Sequence, residues 1–512
     1  MALAPGARDT RGVDFDVVVI GSGYGGSVMA ARLAPLARVL LVERGRRWSA
    51  GEFPTTIPGL VRSLRTDRNP LGLWMLRLGR GTGNAVGNGL GGGSLLNYGI
   101  TSKPDPHVFD EWPVSAAEMD PYYERAHEVL RPSANPAAAG LHDAAFLDRV
   151  APGLRVDLVN TIDWARCTQC GNCVPGCNQG AKRSLDKTYL PMALERGAEL
   201  RLETEVDRIR PVEGGGWDVF LRQAAGGRGL ERVRARAVVV SAGTFGTLDL
   251  FYRHRDVLPL SAAFGRGMGM NGDAAAFLYN TEVLQSGSHG APITTTVRYR
   301  FEDETGRRRT LTVMAGRIPR SMARVSGALM ASIGGLHRRI GPPPPSGRWE
   351  RARRALHDLA RIDERGALER TFMFKLDGQD TARGVASFDR HGRASIDWPD
   401  YSRDPVLRFA DDRLVEWARK VGGTVIHDPG RWPGLCNFGV HPLGGCRMAR
   451  SVADGVVDDR CRVFRPDGSL YPGLRIVDAS VLPTSLGVPP SFTISAVAER
   501  AAEALAAELA SR

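Results

Sequence analysis

The clearest pattern of apolar and polar positions lies near the start of the chain. Phe15 to Ile20 reads FDVVVI, an unbroken apolar run rich in β-branched residues. That is the signature of a strand buried on both faces of a parallel sheet. SVMAARLA follows as a helical run with small residues on one face, and ARVLLVE, ending at Glu43, reads as the next strand. Together they predict a βαβ unit. Near the other end, LRIVDASVLP (474–483) reads as a buried strand closing on an acid, Asp478. An Ala-rich amphipathic helix then runs from Ser491, a candidate N-cap, so the C-terminal segment is expected to fold back onto the first unit. The middle has a different period. Residues 291–335 alternate (TTTVRYRFED, RRTLTVMAGRI), which predicts antiparallel strands, and FMFKLDG and GRASIDW read as further strands. An Arg/Pro-rich stretch, 338–361, interrupts them.

Composition sharpens this picture at one point. The 512 residues are too many for one compact core. There are 61 glycines, roughly 12% against an average near 7%. They are clustered. GSGYGG follows the first strand at once, with Gly21, Gly23 and Gly26 in the dinucleotide-loop spacing, and Glu43 sits 20 residues after Gly23. Gly21 permits the tight turn, Gly23 lets backbone approach a pyrophosphate, and Gly26 allows the helix to pack on the strand. The helix N-terminus offers unpaired N–H groups to phosphate, and the acid suits a ribose hydroxyl. The motif alone does not separate NAD from FAD. A second cluster, Gly81 to Gly93 in GTGNAVGNGLGGGS, makes sense where backbone lies against a flat ring or a second face of a pyrophosphate.

Charge changes the picture less. The net charge is +12, and of 68 basic residues only Lys103, Lys182, Lys187, Lys375 and Lys420 are lysines. The arginines are spread along the chain, which speaks for a compositional bias and against a nucleic-acid surface. One cluster, Arg338, Arg339, Arg348, Arg351, Arg353 and Arg354 around Pro342–Pro345, reads as a solvated loop leading into a surface helix, with an anionic membrane or nucleic-acid contact as the alternative. No apolar stretch of about 20 residues predicts a membrane span. Met1 to Asp14 has no signal-peptide pattern, so a cytoplasmic protein is expected.

The motifs occur in one order: GSGYGG with Glu43, GNGLGGGSLLN, AVVVSAGTFGTLDLF, HPLGGC, VDASVLP and the last helix. In that order the chain resembles the glucose–methanol–choline (GMC) flavin oxidoreductases, most closely their bacterial cholesterol-oxidase branch. The resemblance covers essentially the whole chain. It implies an α/β fold: a Rossmann-like FAD-binding domain in three segments (12–105, 185–290 and 436–512) with an inserted α+β substrate domain (106–184 and 291–435) containing an antiparallel sheet. Carried over by position, Gly21, Gly23 and Gly26 would hold the FAD pyrophosphate and Glu43 the adenosine ribose. Gly87, Gly91, Gly93, Ser94 and Asn97 would line the pyrophosphate and isoalloxazine. Val206 would contact adenine, and Asp478 and Ala479 the ribityl chain and flavin edge.

His441, before Pro442 in HPLGGC, takes the position that faces the flavin in this family. Imidazole ordinarily titrates near neutrality and suits the task of taking a hydroxyl proton. His441 is therefore the expected catalytic base, and the other nine histidines are read as structural. One departure is Pro489 in GVPPSFTIS, where many relatives carry a His or Asn that completes the clamp on the substrate hydroxyl. Four of the seven cysteines, Cys167, Cys170, Cys173 and Cys177, follow CxxCxxCxxxC. That is a ferredoxin-type spacing, with Asn178 in place of the usual Pro. Some sugar dehydrogenases of the family look similar here and carry an iron–sulfur cluster. A cluster, a structural zinc and a metal-free loop all remain open, the last favoured.

The expected function is oxidation of a primary or secondary alcohol to an aldehyde or ketone, with FAD as hydride acceptor and O2 or a redox carrier as final oxidant. A sterol and a sugar or aminoglycoside-type intermediate are the competing substrates. The alternatives are a hydroxynitrile-lyase-like reaction on the same fold and a flavin electron-transfer protein without its own substrate.

Overall fold

The computed structural model describes residues 12–227, 229–285, 290, 292–318, 326, 330–332, 347–360, 366–427 and 435–511. Arg338, Arg339, Pro342–Pro345, His289, His337 and residues 1–11 of the N-terminal segment lie outside the described residues.

Five parallel strands form the heart of an eight-stranded sheet. Their spatial order is Leu470–Ile476, Glu231–Val240, Phe15–Ile20, Val39–Val42 and Glu199–Arg201. All six residues of the first strand and all four of Val39–Val42 are buried, as an apolar run covered on both faces requires. The strand Glu231–Val240 serves two partners on one side. Its first half pairs antiparallel with Trp217–Gln223, and its last three residues run parallel to Leu474–Ile476. Beyond the carboxyl ends, main-chain bonds stitch the chain together: Gly21 N–H to Val42 O, Ser241 N–H to Ile20 O, and Val477 N–H to Val240 O, each 2.8 Å. Gly21, Glu43, Ser241 and Asp478 are thereby gathered at one rim, where open α/β sheets bind their ligands.

The C-terminal helix, Ser491–Ala510, closes this layer against the helix Tyr24–Leu33, as expected from its pattern. Ser491 is its first residue and the cap is Pro490; the Ser491 hydroxyl turns to Ile100 O. Glu499 is buried on this helix. It takes two hydrogen bonds from Arg32 (2.7 and 2.9 Å) and one from Tyr189 Oη (2.7 Å). One carboxylate thus ties the first helix, the last helix and Tyr189–Glu195 together.

The second sheet is antiparallel with six strands: Thr424–His427, Ala274–Tyr279, Phe372–Gly378, Arg308–Gly316, Thr295–Glu302 and Arg155–Asp157. Within 292–318 the alternation gives two strands, and FMFKLDG a third beside them, as their period predicted; most of 319–335 lies outside the described residues. One boundary moves. Ala274–Tyr279 falls within the segment 185–290 expected on the flavin side, but it pairs with Phe372–Gly378 in this sheet. Its short sequence, AAAFLY, has too few alternations to declare which sheet it joins. GRASIDW yields Ala394–Asp397, which forms a separate hairpin with Val385–Phe388.

Glu499→Ala should destabilise the protein by about 2–3 kcal/mol, because it strands a half-buried arginine and a buried tyrosine. Glu503, on the same helix as Glu499, makes an exposed pair with Arg125 of the helix Ala116–Leu130, and Glu503→Ala should cost less than about 1 kcal/mol. Urea unfolding of the two variants checks the contrast.

Candidate active site

The glycines at the rim do different work. Gly21 has φ +95°, and a Cβ there would sit 2.4 Å from Ser241 O. A Cβ on Gly26 would lie 1.9 Å from Gly21 O, and one on Gly25, which the motif reading passed over, 1.7 Å from Val477 O. These three positions are filled by backbone. Gly23 and Gly93 are the opposite: an added Cβ would have nothing within 4 Å. The two glycine-rich loops touch where Gly92 meets the Gly23 Cα, at 3.1 Å from the Cβ that Gly92 lacks. Gly23 also caps the helix Tyr24–Leu33 with no side-chain bond, which leaves its first N–H groups without a side-chain cap. A cradle of bare backbone at a helix N-terminus fits a diphosphate, and the residues present therefore fit FAD.

Glu43 is buried beneath this cradle. Its Oε2 accepts from Ser22 N–H (3.0 Å) and Ser22 Oγ (2.5 Å), and its Oε1 from Gly45 N–H (2.7 Å). A carboxylate has about four lone-pair sites, so one direction remains for a ribose hydroxyl. Gly87 and Gly91 sit in the second loop, against Gly92 O and Ser94 Oγ respectively. Ser94 donates to Gly91 O (2.7 Å) and accepts from Leu185 N–H (3.1 Å), so its hydroxyl shapes the loop. Asn97 donates to Tyr24 Oη (2.7 Å). Val206 is buried in the strand Thr204–Pro211 at a bulge. Asp478 accepts from Ser480 N–H, Ser480 Oγ and Thr247 Oγ1, and burial pushes its pKa up.

His441 lies on a loop held from both layers. Thr244 Oγ1 donates to Pro442 O (2.6 Å), Leu443 and Gly269 exchange main-chain bonds, and Gly444 N–H reaches Ala479 O (3.1 Å). On the other side, Val440 N–H donates to Asp273 Oδ2 (2.6 Å). The imidazole Nδ1 is 3.1 Å from Asp377 Oδ1, 3.5 Å from Lys375 Nζ and 3.7 Å from Asp273 Oδ2. Lys375 Nζ in turn lies 2.7 Å from Asp273 Oδ1 and 2.8 Å from Asp377 Oδ1. Among the described residues, Asp273, Asp377 and His441 are the one trio of potential metal-ligand atoms within 4.8 Å of one another. The Lys375 ammonium is bonded to both carboxylates of that trio, the work a metal ion would otherwise do. Burial disfavours its charge, but Asp273 and Asp377 more than offset this, so its pKa is raised. Burial likewise disfavours the Asp377 carboxylate, and Lys375 and His441 reverse it to a lowered pKa.

None of Asp273, Lys375 and Asp377 was anticipated as a site residue. The available signal was faint: Lys375, one of five lysines, interrupts an apolar strand next to an acid two residues on. Pro489 is buried after a turn that Asn271 holds, its side chain accepting from Leu486 and Gly487 N–H and donating to Val488 O. His427, which the sequence left among the structural histidines, pairs with Asp411 at 3.0 Å.

The GMC oxidoreductase family matches this chain over residues 15–253 and again over 434–498. A cholesterol oxidase of Mycobacterium tuberculosis is 30% identical over 96% of this chain and 90% of its own length. The chain belongs to the GMC oxidoreductases. The long-chain-alcohol oxidase FAO4B of Arabidopsis thaliana is 24% identical over 94% of this chain and 66% of its own length. Among solved structures, pyridoxine 4-oxidase from Mesorbium loti shares the fold, with a TM-score of 0.61 at 17% identity over 96% of this chain and 98% of its own. GMC oxidoreductases are FAD-dependent, in keeping with the cradle described above.

The cysteine loop has a definite structural partner. Lys182 is buried and its Nζ donates to the carbonyls of Cys173 (2.9 Å), Leu95 (2.7 Å) and Asn97 (2.8 Å). It clamps the loop to the segment that follows the second glycine cluster. Burial pushes the Lys182 pKa down to about 8 and the Cys173 thiol up to about 12. All four thiols are free, and among the described residues no three gather within 4.8 Å.

Lys375→Met should cost about 3–5 kcal/mol at neutral pH, because it leaves Asp273 and Asp377 buried together without a cation. Each carboxylate then raises the other's pKa, so the native variant holds a proton that its unfolded chain releases. Its stability therefore falls as pH rises through that raised value. The loss relative to the parent should be smaller at pH 5 than at pH 8, as urea unfolding at the two pH values would report.

Proposed function

We propose that this protein oxidises a largely apolar alcohol to an aldehyde or ketone, with His441 as the base. One observation carries the role of His441: its Nδ1 faces a buried carboxylate, while its Nε2 has no partner among the described residues. An Asp377 acceptor selects the tautomer protonated at Nδ1 and leaves Nε2 as the free lone pair. Nε2 then takes the substrate's hydroxyl proton, and the imidazolium that results is stabilised by Asp377 at 3.1 Å. Lys375 keeps the neighbouring Asp273 carboxylate from competing, and Asp273 itself fixes Val440, the residue before the base. When bound, FAD supplies the hydride acceptor that alcohol oxidation requires.

The apolar preference is supported by the surface beside the base. Leu78, Gly83 and Phe438 lie in register across three strands, Trp74–Leu78, Thr82–Gly87 and Asn437–Gly439. Gly83 lets the Phe438 ring and a Leu78 methyl close over it. Leu78 is 67% exposed, and Phe438 and Val440 are each 40% exposed, directly before His441. An apolar patch leading to a base suits a sterol or long-chain alcohol better than a sugar. The two relatives named cholesterol oxidase and long-chain-alcohol oxidase point the same way.

Anaerobic mixing of the holoprotein with a sterol, a long-chain primary alcohol, a sugar and an aminoglycoside tests this. Flavin bleaching is expected with the first two. His441→Ala should retain FAD and bleach roughly 10²–10⁴-fold more slowly. Bleaching by the sugar or aminoglycoside alone would refute the substrate class, and an unchanged rate in the variant would remove His441 from the chemistry. Reoxidation in air against reoxidation by a quinone then identifies the electron acceptor.

A further inference from the structure

The helix Arg348–Ala360 lies against the rim of the antiparallel sheet with its polarity reversed. Its buried positions are charged. Arg351 is 3% exposed, and its guanidinium donates to Gly422 O and to Thr424 Oγ1 (3.3 Å). Asn280 Nδ2 donates to Arg351 O (3.0 Å). Asp358 is 5% exposed, and its Oδ2 accepts from Leu368 N–H (2.9 Å). One of its outward faces is apolar. Trp349 is 91% exposed, Leu356 64% and Leu359 44%. With Ala352 they follow the i, i+3, i+7, i+10 spacing of a single helical face. The orientation is pinned, because rolling this face inward would pull Arg351 and Asp358 from their buried partners.

We propose that this face docks the protein on an anionic lipid surface. An exposed indole and two leucines on one face, with arginines at its side, is the make-up of a helix that lies in the interface plane of a bilayer. Trp favours the headgroup level, where its ring is half apolar and half wet. The charge is of the matching sign. On the helix Arg353 is exposed and Arg354 half-buried against one exposed acid, Glu350, in a chain of net charge +12. Basic residues beside an apolar face are drawn to anionic headgroups within a Debye length. The surface is separate from the patch beside His441, and the inference does not depend on the alcohol reading.

The test is co-sedimentation of the full-length protein with vesicles of phosphatidylcholine alone or mixed with phosphatidylglycerol. Binding to the mixed vesicles is expected, weakening as salt rises. Trp349→Ser with Leu356→Ser should lower it about tenfold or more. Arg353→Gln should lower binding to the anionic vesicles alone. Both substitutions are at exposed positions, and thermal scans should show the fold intact. No binding to either vesicle, or equal binding by the double variant, overturns the proposal. So does a dimer in sedimentation velocity that the double variant converts to monomer, since a second copy would then cover the face.

Discussion

A single buried ammonium joins the two layers of this protein where its chemistry is expected. Lys375 lies between Asp273 and Asp377, and those acids reach onward to Val440 and His441. Taking three charges out of water costs several kcal/mol for each ion, and the cost is recovered only when the geometry is close. Here the contacts are 2.7 and 2.8 Å. The arrangement specifies position more than it adds stability. Strand Phe372–Gly378 and the start of Ala274–Tyr279 cannot shift against the His441 loop without exposing an unpaired charge to apolar surroundings.

The other half of the site is held by bare backbone. The parallel strands deliver Gly21, Glu43, Ser241 and Asp478 to one rim, and close main-chain contacts there leave no room for a Cβ at Gly21, Gly25 or Gly26. Gly23 and Gly93 stay open on the side where the two glycine loops meet. The excess of glycine in the composition thus has two physical causes. Some residues allow chain to cross chain, and others keep a surface clear for a ligand. The same rim fixes the base, because the His441 loop is bonded to Ala479 and Ser480 just beyond Asp478.

The parallel layer was largely legible in the sequence, because FDVVVI, GSGYGG and the acid at 43 report local requirements that sit within one βαβ unit. The support of His441 was not. Asp273, Lys375 and Asp377 are separated from it by 64 residues or more, and alternation tells which face a residue takes but not whom it meets. Ala274–Tyr279 carries too short a pattern to choose its sheet. A surface helix is expected after the Arg/Pro run and Arg348–Ala360 is one, but the pattern does not tell that it buries Arg351 and Asp358 and turns Trp349, Leu356 and Leu359 out. Tertiary partners, Gly422 and Leu368 among them, overrode the pattern there.

In the proposed mechanism Asp377 makes His441 a base by holding its Nδ1. The most direct measurement is the stopped-flow rate of anaerobic flavin reduction in Asp377→Asn, at saturating alcohol and matched FAD content. A fall of roughly 10²–10⁴-fold is expected with the flavin still bound. A rate equal to that of the parent protein would contradict it.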